Sequence, residues 1–317
     1  MNSQQHIGVR FLVFSIILMM PVSAIFIGPN AQSASLPGQN FQPLPVYHPG
    51  TTFVYSDGTW ETVIAAEPNV VSWKDHRGNT STGTPDFTRR RLQYQTKTRQ
   101  GARVFGPREN IIVKHRESIW PLEVGKKASF TERGTWVDKR DGSEHAYRAH
   151  WSCEVEGAER IVVPAGEFDT WKIVCSRYAS SRNARSQLRE IKTWYYAPQI
   201  GHFVLSNSRY FYNQSPRQLE LLAVLPPKES LPSQARRKMD NSFQKAMEHQ
   251  KSGSSVVWSI ANPAASGGIT PYGTFKLEDG TFCRRYVQNL NLSGADQQAY
   301  YGLACRDAGG RWDIPRR

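Results

Sequence analysis

The chain contains four cysteines in 317 residues, Cys153, Cys175, Cys283 and Cys305, and no two of them are close in sequence. Without a C-x-x-C pair, the usual arrangement for dithiol redox catalysis is missing. Structural zinc sites bring ligands in close pairs, so isolated cysteines argue against them. The nearest approach is His145, His150 and Cys153 in HAYRAHWSC, and Cys153 has a better partner elsewhere. There is no G-x-S-x-G elbow, no H-E-x-x-H, no phosphate loop and no dinucleotide fingerprint, so the sequence implies no cofactor, no metal and no recognisable catalytic motif. Acidic residues are outnumbered, 27 Asp and Glu against 40 Lys and Arg, which gives a net charge of +13. A charge of that sign favours anionic partners.

Past the amino terminus no apolar run approaches membrane-spanning length. At the amino terminus itself Arg10 precedes an apolar run from Phe11 to Met20 broken only by Ser15, followed by Pro21-Val22-Ser23-Ala24. A positive flank, an apolar stretch and small residues at the −3 and −1 positions make a secretory signal peptide. Cleavage is expected after Ala24, with Ser33 or Ala34 as later alternatives. The competing expectation is an uncleaved anchor, because Phe11 to Gly28 is mostly apolar and roughly 17 to 25 residues cross a bilayer. No cysteine lies near the cleavage region for lipid attachment. Export makes nucleic acid an unlikely partner class and leaves anionic envelope glycolipid, lipid or cell-wall material, with membrane association.

In an exported chain an even number of cysteines points to disulfides. Cys153 to Cys175 and Cys283 to Cys305 share one separation, 175 − 153 = 305 − 283 = 22. The second pair is centred on Gly294 in the turn-forming run Ser293-Gly294-Ala295-Asp296. A strand ending at Leu292 and another leaving Gln297 would bring its cysteines together. On that second strand Ala299, Tyr301, Leu303 and Cys305 share a face by alternation, which points Cys305 toward the core. The first pair is centred on Pro164 in Pro164-Ala165-Gly166, with Trp171, Ile173 and Cys175 on one face and a further turn expected at Gly157. Four cysteines allow three connectivities. Joining near neighbours favours Cys153 with Cys175 and Cys283 with Cys305.

The fold class expected is mainly β, with an antiparallel sandwich or half-barrel, a helical linker and a small disulfide-stapled β domain. A signal peptide over 1–24 leads to a Gln, Ser, Pro and Gly-rich extended leader over 25–46. The antiparallel β domain spans 47–225, where TTFVY, WETVIAA, NVVSWKD, RLQYQTKT, FDTWKIVC, IKTWYYA and HFVLSNSRYFY are strand-like and Asp57-Gly58 marks a hairpin. Pro226 and Pro227 end the last strand. A Pro-rich linker and helix occupy 226–253, with an N-cap expected at Ser233 and an apolar stripe of Met239, Phe243, Ala246 and Met247. The second β domain spans 254–317.

Trp258, Gly273-Thr274, Asp279-Gly280, Cys283-Arg284, Tyr286, Tyr301-Gly302-Leu303-Ala304-Cys305-Arg306, Gly310 and Trp312 resemble the C-terminal domain of the seventeen-kilodalton surface antigen family of bacterial envelopes, over roughly residues 254–314. That resemblance implies an outer-membrane or periplasmic location and brings no known catalytic residues. The chain departs from the family by having neither its lipoprotein cysteine nor its glycine-zipper segment. In the larger region WPLEVGKK, VPAGEFDTWKIVC and WYYAPQIGHFV are similar to motifs of exported β-domain families, which implies an antiparallel fold and no agreed chemistry.

The candidate anion-binding residues are Arg89, Arg90 and Arg91 together with Arg236, Arg237 and Lys238. A further basic series is Arg177, Arg182, Arg185 and Arg189. Trp194-Tyr195-Tyr196 and Tyr210-Phe211-Tyr212 offer a sugar-stacking surface or, more simply, core packing. Asp138, Asp141, Glu144, Glu154 and Glu156 fit solvated edges better than catalysis. The sequence therefore predicts a noncatalytic exported envelope protein that binds or organises surface components. The alternatives are a carrier or sensor of an apolar ligand in an incomplete barrel and an envelope glycan hydrolase.

Overall fold

Among the described residues eighteen strands and one long helix follow each other, and the strands pair antiparallel. The computed structural model describes residues 41–98, 101–103, 111–115, 118–137, 143–181, 184–212, 214–292 and 297–315. The signal segment, the leader to residue 40, Asp138, Asp141, Arg182 and Gly294 lie outside the described residues, as does the side chain of Arg185. All described residues belong to one compact unit, residues 33–317.

The first sheet starts with β1 (Thr52–Tyr55) and β2 (Trp60–Ala66), joined through Asp57-Gly58 as the sequence predicts, with Gly58 at φ 80°. It continues through β3 (Val71–Asp75), β4 (Thr80–Gly83), β5 (Gln93–Thr98) and β6 (Gly101–Arg103). The second sheet is a meander of β7 (Ile111–His115), β8 (Lys127–Val137), β9 (Glu144–Val163), β10 (Gly166–Ser181), β11 (Ala184–Ala197) and β12 (His202–Tyr210). Strand β13 (Arg217–Leu225) belongs to both. Its first half pairs with β12, from Arg217↔Ser208 to Glu220↔Leu205, and its second half pairs with β1, from Leu221↔Tyr55 to Leu225↔Thr52. A strand that changes sheets makes a corner, and the result is an unclosed half-barrel.

Alternation explains which side chains meet inside. In β12 the buried positions are His202, Val204, Ser206 and Ser208, every second residue, because successive side chains of a strand leave on opposite faces. Across the second sheet the same rule stacks Phe130, Trp151, Cys153, Ile173, Cys175 and Trp194 into one core. A side chain of this size contributes roughly 1.5–3 kcal/mol when taken from water.

Residues 226–253 carry α1 (Ser233–His249). Ser233 is the first helical residue rather than the N-cap, because Pro232 takes the cap position and its carbonyl accepts the first ladder bond from the Arg236 amide at 3.0 Å. Met239, Ala246 and Met247 are buried as the stripe predicts, and Phe243 meets Tyr286 edge to face at 5.0 Å. Strands β14 (Val256–Ala261), β15 (Ala264–Lys276), β16 (Phe282–Leu292), β17 (Gln298–Arg306) and β18 (Trp312–Asp313) complete the chain. The largest core draws Phe53 and Val204 from the first region, Met239 and Met247 from α1, and Ile269 and Tyr286 from the last. Ala223 of β13 pairs with Gly302 of β17.

Both disulfides join the expected neighbours, Cys153 to Cys175 and Cys283 to Cys305, each between residues directly opposite in register. Two local readings change. Gly157 is not a turn, since β9 runs through it, with a bulge that puts Glu156 out of register. Cys305 is buried, but against a small cluster with Val54, Leu222 and Leu303. The larger core takes the opposite face of β17, through Tyr300 and Ala304. Both faces of β17 are covered, one by the core that includes α1 residues and the other by Val54 of β1 and Leu222 of β13.

Candidate functional site

Between the two sheets lies an open cleft of about 470 Å³. Trp60 and Glu61 of β2 and Asp75 and His76 at the end of β3 form one wall, and Trp151, Glu190, Lys192, Trp194, His202, Phe203 and Arg217 form the other. Residues 87–91 lie over it. Phe87 stacks on Tyr196 with centroids 5.7 Å apart and meets Trp120 edge to face at 5.7 Å, so aromatic side chains fill the interior beside the cleft. An interior filled in this way and a rim of charge do not suit a purely apolar ligand.

The triplet Arg89-Arg90-Arg91 lines this cleft. Each guanidinium faces a carboxylate. Arg89 pairs with Asp86 at 2.9 Å and lies over Phe130 at 4.5 Å; Arg90 approaches Glu132 at 3.8 Å; Arg91 pairs with Glu61 at 2.8 Å and lies over Trp73 at 4.2 Å. Glu132 also accepts from the Trp151 indole at 2.9 Å. Arg217 pairs with Asp57 at 2.9 Å and Glu190 with Arg177 at 2.9 Å. The lining itself holds five Lys or Arg (Arg89, Arg90, Arg91, Lys192, Arg217) against three carboxylates (Glu61, Asp75, Glu190), and Asp86, Glu132 and Asp57 just beyond it face Arg89, Arg90 and Arg217, so the arginine charges are matched locally. Glu61 and Glu190 are both already committed to a guanidinium, an arrangement that positions arginines rather than a free acid and base.

The structure does not bring the second basic group here. Arg236 pairs with Glu229 at 3.5 Å, Arg237 is exposed, and the Lys238 ammonium donates to the Ser259 carbonyl at 2.8 Å beside a separate groove on α1 and β14. One anion-binding surface made from both groups is therefore not formed, because one group sits on a loop between the sheets and the other on α1. Arg189 is half-buried beside the Tyr212 ring.

Sequence reasoning missed Lys192 and His202. Glu190, Lys192, Trp194 and Tyr196 share the inward face of β11 by alternation, and a charged pair on the same face as two buried aromatics was the available signal. Trp194 and Tyr196 are core residues, although Trp194 also borders the cleft. His202 is 1% exposed. Its Nδ1 meets the Tyr47 hydroxyl at 2.8 Å and its Nε2 the Tyr55 hydroxyl at 3.1 Å. Burial, aided by the charge of Arg91, holds its pKa well below the usual imidazole range. Burial likewise lowers that of Lys192, with Glu190 opposing. Of the acidic cluster, Glu154 pairs with Lys127 and Glu156 with Lys172 at the solvated surface. Cys153 is in a disulfide and is no thiolate ligand for His145 and His150.

The C-terminal motif residues have a structural task. The buried Arg284 guanidinium donates to the Met247 carbonyl at 2.6 Å and the Gln250 carbonyl at 2.8 Å, satisfying carbonyls that a helix end leaves without partners. Arg306 grips Glu248 with two bonds, 3.0 and 3.1 Å, and the Trp312 indole donates to the same carboxylate at 2.7 Å. Cys283-Arg284 and Cys305-Arg306 thus each supply one half of a staple and one hold on the end of α1. From the same sheet Arg285 donates to the carbonyls of Pro164 and Val163 at 3.1 Å, and Tyr272 to that of Ala165 at 3.1 Å, which docks the tip of the β9–β10 hairpin.

Among solved structures, the hypothetical lipoprotein YmcC from Escherichia coli aligns over 54% of this chain and 82% of its own, at 12% identity and a TM-score of 0.33. The 17 kDa surface antigen of Rickettsia prowazekii is 36% identical over 81 residues, which is 26% of this chain and 50% of the antigen. Those of Rickettsia rickettsii and Rickettsia felis are 37% identical over 81 residues with the same coverage. The chain spans about half the length of these curated relatives. Residues 245–313, from the last turns of α1 that Arg284 and Arg306 hold through to β18, match the family described as the 17 kDa outer membrane surface antigen.

Proposed function

We propose that this is a noncatalytic exported protein of the bacterial envelope, periplasmic or associated with the outer membrane, which binds an anionic envelope component in the cleft between its two sheets. The observation that carries the reading is the convergence of Arg89, Arg90, Arg91, Lys192 and Arg217, five hydrogen-bond-donating cations, on one cleft. The envelope location is supported by the likeness of residues 245–313 to an outer membrane surface antigen and by two oxidised cysteine pairs. The cleft carboxylates Glu61 and Glu190 hold arginines in place.

Cosedimentation tests this. The mature protein should pellet with vesicles containing anionic glycolipid or lipid at low salt, less so as salt rises, and not with neutral vesicles. Equal pelleting with both, or recovery of the native protein from the cytosolic fraction, would end it.

A further inference from the structure

Lys192 is the odd cation of the cleft. Every arginine of the lining faces a carboxylate, whereas among the described residues none lies within 4.0 Å of the Lys192 ammonium and no group hydrogen-bonds to it. Its neighbour is the Trp194 ring, 4.8 Å away. The backbone fixes it there, since β11 sets Lys192 opposite Cys175 on one side and Ser208 on the other. The oxidised pair Cys153–Cys175 thereby anchors the strand next to it.

We propose that Lys192 anchors the acidic group of a saccharide, a carboxylate or phosphate carried on a sugar ring, with the ring held in the cleft beside Trp60 and Trp194. The inference rests on the cleft reading above and names its ligand class. A half-buried ammonium with no counter-ion gains most from a single anion, which replaces the water it has lost. Glu61 and Glu190 in the same lining repel a polyanion and accept hydrogen bonds from hydroxyl groups. A fatty acid would bring one charge but would cover those carboxylates and the hydroxyls of Thr59 and Thr88 with methylenes, at a desolvation cost. A ring with hydroxyls on its rim and C–H groups on its face meets both the polar groups and the indoles. The volume falls in the usual range for small ligands.

The test titrates the mature, oxidised protein with glucuronate, glucose 6-phosphate, glucose and octanoate, read by calorimetry and tryptophan fluorescence. At least one of the two acids is expected to bind about tenfold or more tighter than glucose and octanoate. The one that does so identifies carboxylate or phosphate. Lys192→Gln should weaken that acid by about tenfold, and Lys192→Arg by less. The proposal fails if neither acid binds, if glucose or octanoate binds as well, or if Lys192→Gln retains full affinity. Should the glutamine variant not fold, the ranking of the four probes on the unaltered protein decides. Binding to anionic vesicles that survives any of these failures leaves the cleft reading standing with a different anchor; loss of vesicle binding as well removes both.

Discussion

Arg284 and Met247 are 37 positions apart in the chain, and the guanidinium of one donates to the carbonyl of the other at 2.6 Å. This contact closes the C-terminal end of α1 from a strand that is itself stapled one residue earlier by Cys283. Placing the cap on a disulfide-bonded strand fixes the helix and the sheet by one local device.

Arg284→Met should therefore be costly. The methionine fills the volume but leaves the carbonyls of Met247 and Gln250 without donors in a buried setting. Each unsatisfied group costs about 1–3 kcal/mol, so a loss of about 3 kcal/mol is expected, measured by denaturant unfolding. Arg306→Met, whose partner Glu248 is partly solvated, should cost less, since exposed pairs contribute about 1 kcal/mol or under.

Gly302 is the second sensitive point. A Cβ built there would stand 2.6 Å from the Tyr286 hydroxyl and 2.9 Å from the Ala223 Cβ, and Ala223 is its ladder partner on β13. Overpacking of this kind costs roughly 1–3 kcal/mol. Gly302→Ala should lower the melting temperature, and Gly302→Ala with Tyr286→Phe should recover part of the loss because the hydroxyl is the closest obstacle.

The two disulfides close loops of equal length, so the chain-entropy model gives them equal worth, about 3 kcal/mol each. Mass spectrometry of the mature protein without reduction should show two oxidised pairs and an amino terminus at Ile25, reporting crosslinks and cleavage together. Free thiols in protein from its native compartment would contradict both the pairing and the export. Replacing Cys153 and Cys175 by alanine should also weaken cleft binding, because that pair braces the strands beside Lys192, whereas replacing Cys283 and Cys305 should lower stability without changing affinity.

Much of this architecture was readable from alternation and turn chemistry. The pairing of Cys153 with Cys175 followed from a turn midway between them, and Asp57-Gly58 marked its hairpin. The cleft was not readable, because it depends on β13 leaving one sheet for the other and on loop 87–91 lying across both, and neither has a periodic signal. Arg89, Arg90 and Arg91 stood out by charge, yet their partners Asp86, Glu132 and Glu61 come from three separate parts of the chain. The arginines on α1 looked equivalent in sequence and are not, since nothing in a run of basic residues says which element carries it toward a cleft. The Pro-Ala-Gly turn was legible as a turn but not as a dock, because Arg285 and Tyr272, which hold it, are more than a hundred residues away.

His202 predicts how the protein responds to acid. In the fold its ring is enclosed by Tyr47, Tyr55, Phe53 and Phe203, with the Arg91 charge nearby, and its pKa lies well below the ordinary value of 6.5. Neutral imidazole accepts a hydrogen bond from one tyrosine and donates one to the other; imidazolium would have two donors facing them and a charge with little water. Between the depressed folded value and about 6.5 the unfolded chain binds one proton more than the folded one, so stability rises with pH there and falls on acidification. The contribution is complete above about pH 6.5, and its loss below has a limiting slope of about 1.4 kcal/mol per pH unit. Unfolding curves taken from pH 7.5 down to 5 should show that decline, and His202→Gln, which keeps a donor and an acceptor for the two tyrosines but does not titrate, should flatten it. A variant that lost stability with the same slope as the unaltered chain would show that the proton goes elsewhere.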